Sequence, residues 1–126
     1  MSVRCFEDLV AWQLAFELQK EILAFTAQRE VRSDRDYCLQ LRDSIASVTR
    51  NTAEGFGRFR PREFARFLEI AHGSLDETKS HLHDALLRGY LSEAEHQRLV
   101  ALTRRALAAN VRLGAYLRKC ASPKER

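Results

Sequence analysis

The 126-residue chain is short of the elements that break helices and of those that mark membrane, secreted or metal-binding proteins. It has five glycines and two prolines, too few for extensive loops. No apolar run approaches the roughly 20 residues of a membrane span, and the opening Met-Ser-Val-Arg-Cys-Phe-Glu-Asp has no signal-peptide core, so a cytoplasmic protein is expected. Its three cysteines, Cys5, Cys38 and Cys120, are odd in number and outside any C-x-x-C spacing. That excludes a disulfide framework and a cysteine zinc site as readings, leaving reduced thiols. There is no Gly-rich phosphate loop after a strand and no nucleophile-elbow context around a serine, so no enzyme and no cofactor are inferred.

What is present is helical periodicity. Hydrophobic residues make up 45% and charged residues 30%, ordinary for a globular protein, and the length suits a single domain over residues 1–126 with a short flexible tail from about 120. Phe6 to Gln28 places apolar residues at Phe6, Leu9, Trp12, Phe16, Ile22, Leu23 and Phe25, a helix of about six turns. Polar residues 29–33 break it, and Ser33 followed by Asp34 and Asp36 reads as the cap of a second helix running through Leu41, Ile45 and Val48 to about Glu54. In Gly55-Phe56-Gly57-Arg58-Phe59-Arg60-Pro61 the glycines read as left-handed terminators and the proline as the first turn of a third helix.

The third helix carries Phe64, Phe67, Leu68, Ala71, Leu75, Thr78, Leu82, Ala85 and Leu86 on one face and stops at Gly89. Gly73, inside it, reads either as a place of close helix approach or as a local irregularity. Ser92-x-x-Glu95 is a capping box opening a fourth helix, whose seam is Leu99, Leu102, Ala106, Ala109, Leu113 and Tyr116. Four long helices with short links predict an all-α fold, an antiparallel up-down-up-down four-helix bundle.

Particular residues then resemble the 23S rRNA intervening-sequence protein family, over about residues 6–118. They are Phe6-Glu7-Asp8-Leu9-Val10-Ala11-Trp12-Gln13, Asn51-Thr52-Ala53-Glu54-Gly55-Phe56-Gly57-Arg58, the helix-3 stretch Arg66 to Glu77, and Gly89-Tyr90-Leu91. Two features depart from the family pattern: no Phe-Pro lies between Thr26 and Arg35, and Lys79 stands where a second acid is common. The resemblance implies a cytosolic homo-oligomer, a pentamer for this fold, without catalytic activity. The structural signature it marks is Asn51, Glu54, Gly55, Gly57 and Arg58.

Charge is unevenly placed. The net is +4, yet residues 97–126 hold eight Lys/Arg against one Glu, while the preceding residues hold 13 Lys/Arg against 16 Asp/Glu. Arg98, Arg105, Arg112 and Lys119 recur every seven residues, flanked by Arg104 and Arg118, and give the fourth helix a basic face. Such a face either neutralises phosphates on RNA or DNA, or is solvated or paired with acids on neighbouring helices or subunits. Val100, Leu107 and Val111, off the main seam, read as a self-association strip or as scattered surface apolars.

At the corner, Arg58, Arg60, Arg62 and Arg66 form a second basic cluster. It suits a phosphate, or else Arg58 pairs with Glu54 while Asn51 bonds backbone. A Glu54 buried beside an arginine would make that pair costly to break. Glu69, His72, Asp76, Glu77, His81 and His83 share the third helix, but the first two helices supply no histidine, so no metal site is assigned. Trp12, Phe16, Phe64 and Phe67, at core spacing, read as packing residues rather than platforms for bases. The function expected is a non-enzymatic homo-oligomer that meets RNA through its basic face; the alternative is a protein-binding or scaffolding module without nucleic acid.

Overall fold

Helix boundaries in this chain are set by a few local hydrogen bonds. The structure, a computed structural model, describes residues 2–121. Among these, a 3-10 turn at Phe6–Asp8 precedes α1 (Val10–Thr26), the single-turn α2 (Arg29–Arg32), α3 (Arg35–Gly57), α4 (Pro61–Leu87) and α5 (Glu93–Cys120). The fold is all-α, with no strand among the described residues. Cys120 is the last residue of α5 and Ala121 is buried; the rest of the stretch expected as a tail lies outside the described residues.

The capping box forms as expected: the Ser92 hydroxyl accepts from the Glu95 amide at 3.2 Å, and the Glu95 carboxylate accepts from the Ser92 amide. Gly89 ends α4 with φ 78°, its amide bonding Leu86 O and the Tyr90 amide reaching back to Ala85 O, a Schellman arrangement. The cap of α3 is Asp34, not Ser33. Its carboxylate accepts from the Tyr37 amide, from the Tyr90 hydroxyl at 2.6 Å and from Arg88 at 2.8 Å, so one side chain ties the start of α3 to the end of α4. The stretch read as a polar break contains α2, which forms because its single turn buries Val31.

The corner also differs from expectation. Both glycines lie inside the last turn of α3, and the left-handed residue is Phe59, at φ 58°. Gly55 is needed for proximity: a Cβ there would stand 2.7 Å from Phe64 Cδ1 and 2.8 Å from Phe67 Cβ. Gly73 meets open space, so the close approach considered for it is absent.

α1 packs on α3 and α5, and α4 packs on the same two helices. Between α3 and α4, Tyr37 bonds His81 O, Ser44 bonds Thr78 and Ser47 bonds Ser74, so numbers rise on one helix as they fall on the other. Between α1 and α3, Gln19 meets Thr49 and Thr26 meets Arg42 in the same opposed sense. The face of α1 that enters the core is Ala11, Ala15, Leu18, Ile22 and Phe25. Small alanines let the helices close, which leaves Trp12 half-buried and stacked at 4.7 Å on a 40%-exposed Phe16. Buried Asn110 on α5 donates its amide to Leu68 O on α4 at 3.0 Å, and no buried side-chain nitrogen or oxygen among the described residues lacks a partner.

Overpacking typically costs about 1–3 kcal/mol, while replacing a helical glycine recovers up to about 1 kcal/mol, so Gly55→Ala should lower the urea-derived unfolding free energy by about 1–2 kcal/mol. An unchanged value would mean that the corner relaxes freely. The Tyr90 hydroxyl, followed by the Tyr37 amide and Arg88, holds the Asp34 carboxyl below its ordinary pKa, against a smaller opposing effect of burial. With the folded pKa below the unfolded one, the carboxylate's contribution is complete above the unfolded range and is lost as pH falls below about 4 through the folded value. Tyr90→Phe should flatten that acid limb in a pH series of denaturation curves.

Candidate nucleic-acid interface

The capping box fixes where α5 begins, and its packing against α1 and α4 decides which side chains face water. Its buried residues are Leu99, Val100, Thr103, Ala106, Ala109, Asn110, Gly114 and Leu117. Arg98, Arg104, Arg105, Arg112, Arg118 and Lys119 are all exposed. Arg98 reaches across to Glu21 of α1 at 2.7 Å, and Arg118 to Glu69 of α4 at 3.2 Å. Among the described residues, Arg104, Arg105 and Arg112 have no ion-pair partner. Exposed pairs of the Arg98 and Arg118 kind contribute only about 0–1 kcal/mol, so a phosphate can compete for either guanidinium.

The apolar strip proposed beside this face is mostly covered within the chain. Val100 is only 3% exposed and belongs to the core, and Leu107 packs against the same cluster. Val111 remains 53% exposed but lines a groove with Glu69 and His72 of α4. The strip faces α4, because the buried surface of α5 includes Thr103, Asn110 and Gly114 and is therefore rotated from the purely apolar seam; Tyr116, assigned to that seam, is 63% exposed.

At the corner, Arg58 is engaged by Glu54 at 2.9 Å and Glu63 at 3.4 Å, and lies 5.3 Å from the Phe67 ring. Both Arg58 and Glu54 side chains are 47% exposed, so the costly buried pair considered from sequence is not formed. Asn51 donates to Ser47 O, as the backbone-bonding reading held. Arg60, Arg62 and Arg66 lack ion-pair partners among the described residues and border a groove with Glu63, Phe67 and Ile70, the Glu63 carboxylate being paired with Arg58. Arg62 and Arg66 also meet Arg118 and Glu69 around one hollow, so the start of α4 and the end of α5 bring three arginines and one carboxylate together, a juxtaposition that linear spacing did not reveal.

The histidines are distributed along α4 and α5 in pairs. His72 lies 3.5 Å from Asp76, His81 lies 3.2 Å from Glu77, and His83 meets His96 of α5 at 2.9 Å. Burial, then His96, Lys79 and Arg104, pushes the His83 pKa down. Among the described residues no three His, Cys, Asp or Glu side chains converge as a metal-binding group. Likewise no described helix is long and apolar enough to cross a membrane.

Residues 7–109 match the 23S rRNA-intervening sequence protein family, which covers most of the helical chain. The chain belongs to that family. The matched stretch contains the corner, Arg98, Arg104 and Arg105, whereas Arg112, Arg118 and Lys119 lie beyond it. A search of curated proteins returned no match. Membership of the family does not by itself assign a biochemical activity.

Proposed function

We propose that this chain is a non-enzymatic, cytoplasmic, homo-oligomeric protein whose long helices form an antiparallel up-down-up-down four-helix bundle and whose basic surface on α5 binds RNA. The bundle reading is supported by the opposed numbering of the cross-helix hydrogen bonds and by each long helix touching two others. The single observation that carries RNA binding is the exposure of Arg104, Arg105 and Arg112 without ion-pair partners among the described residues. Their charge is available to displace counterions from a phosphate backbone.

Self-association rests on α1 instead of Val100. Phe16 and Leu23 are 40% and 46% exposed, seven residues apart, and a second copy is the natural cover for such a stripe. Five copies is the number that the family resemblance implies. The exposed Leu39 and Leu87, remote from the arginine surface in sequence, favour a second reading, a protein-binding or scaffolding module.

RNA binding is expected to weaken steeply with salt, and Arg105→Glu with Arg112→Glu to lower affinity at low salt by about ten-fold. Filter binding or fluorescence anisotropy measures both. No binding at low salt, or binding indifferent to the double variant, removes the RNA reading; a cellular partner that survives nuclease treatment favours the scaffold. Light scattering should give a solution mass well above the 14.5 kDa of one chain, reduced in Phe16→Glu with Leu23→Glu. A monomer at micromolar concentration removes the oligomer.

A further inference from the structure

Phe59 is the most exposed aromatic residue at the α3–α4 corner, 83% open to solvent and held in left-handed backbone. It borders an open hollow of about 470 Å³ whose floor includes Phe56, Phe64 and Leu117. Tyr116, 63% exposed, borders the same hollow from α5. Arg60 lines both this hollow and the neighbouring groove that carries Arg62 and Arg66. No carboxylate among the described residues lines the hollow.

Two exposed aromatic rings around an apolar floor suit a flat ring that stacks, and three arginines without ion-pair partners beside them suit phosphates. Single-stranded nucleic acid presents both, base faces and phosphates together, whereas a duplex keeps its base faces stacked away. A second copy docking corner to corner would also cover apolar surface, but it would set its own Arg60, Arg62 and Arg66 against the same three arginines. Charge complementarity therefore favours the polyanion.

We propose that the corner hollow receives an unpaired base of a single-stranded nucleic acid against Phe59 and Tyr116, with Arg60, Arg62 and Arg66 on the adjoining phosphates. This rests on the nucleic-acid reading above and adds to it a strand form and a second site. The basic surface of α5 supplies charge that any strand can use; the corner supplies stacking that only an unpaired base can use.

Fluorescence anisotropy with labelled oligouridine and oligothymidine of about twelve nucleotides, and with an RNA duplex of similar length, tests the site. Phe59→Gly is the informative variant, since it removes an exposed ring and relieves the left-handed backbone, leaving the core untouched. Its affinity for both single strands should fall about ten-fold, with duplex binding unchanged and Phe59→Trp restoring the loss. Single-strand affinity unaltered by Phe59→Gly, with the unmodified protein still binding, overturns the corner site and leaves the α5 reading standing. Failure of the unmodified protein to bind any probe at low salt overturns both. A solution mass lowered by Phe59→Gly with nucleic-acid affinity intact assigns the hollow to a second copy and overturns the proposal.

Discussion

The missing side chain at Gly55 governs how α4 leaves α3. With no Cβ at that point, the Phe64 ring and the Phe67 Cβ settle directly against the last turn of α3. Phe67 then lies beneath Arg58, whose guanidinium is drawn to Glu54 and Glu63. Arg60, Arg62 and Arg66 are carried outward on the first turns of α4, and the chain reverses through a left-handed Phe59. A larger residue at position 55 would push the two helices apart at the place where the basic surface of the corner begins.

Electrostatics sorts the arginines into two groups. Acids on α1, α3 and α4 neutralise Arg98, Arg58 and Arg118 through contacts that remain exposed to water. Arg60, Arg62, Arg66, Arg104, Arg105 and Arg112 are without such partners among the described residues. The excess of positive charge in the last quarter of the sequence thus becomes a surface property: Glu21 of α1 meets Arg98 and Glu69 of α4 meets Arg118, while Arg104, Arg105 and Arg112 have no ion-pair partner among the described residues. Screening by salt acts on exposed charges of this kind far more than on buried ones.

Local chemistry was readable from the sequence where it was self-contained. Ser92 and Glu95 cap each other within one turn, Gly89 alone supplies the positive φ that ends α4, and Pro61 opens it. The rotation of each helix was less readable, since it depends on neighbours. Thr103, Asn110 and Gly114 are buried for reasons of hydrogen bonding and size, so a count of apolar residues alone misplaced Val100 on the surface and Tyr116 in the core. On α1, alanines took the inner face that the larger Trp12 and Phe16 were expected to fill. The same dependence explains the candidate site: the arginines of the corner were visible as a cluster, but their meeting with Arg118 requires the α4–α5 pairing, and the exposure of Phe59 requires the left-handed turn.

Asn110 gives the α4–α5 pairing a single alignment. Its buried amide is satisfied by one carbonyl, that of Leu68. Sliding α5 by a helical turn, about 5.4 Å, would carry the amide away from that acceptor and leave it dry and unbonded at a cost of about 1–3 kcal/mol. Hydrocarbon contacts alone would resist such a slip weakly, because one leucine can replace another. The buried amide thus acts as a ruler for the outer surface as well: it fixes how far Arg118 stands from Arg62 and Arg66, and so fixes the pitch of positive charge that any polymer lying across both helices would have to match.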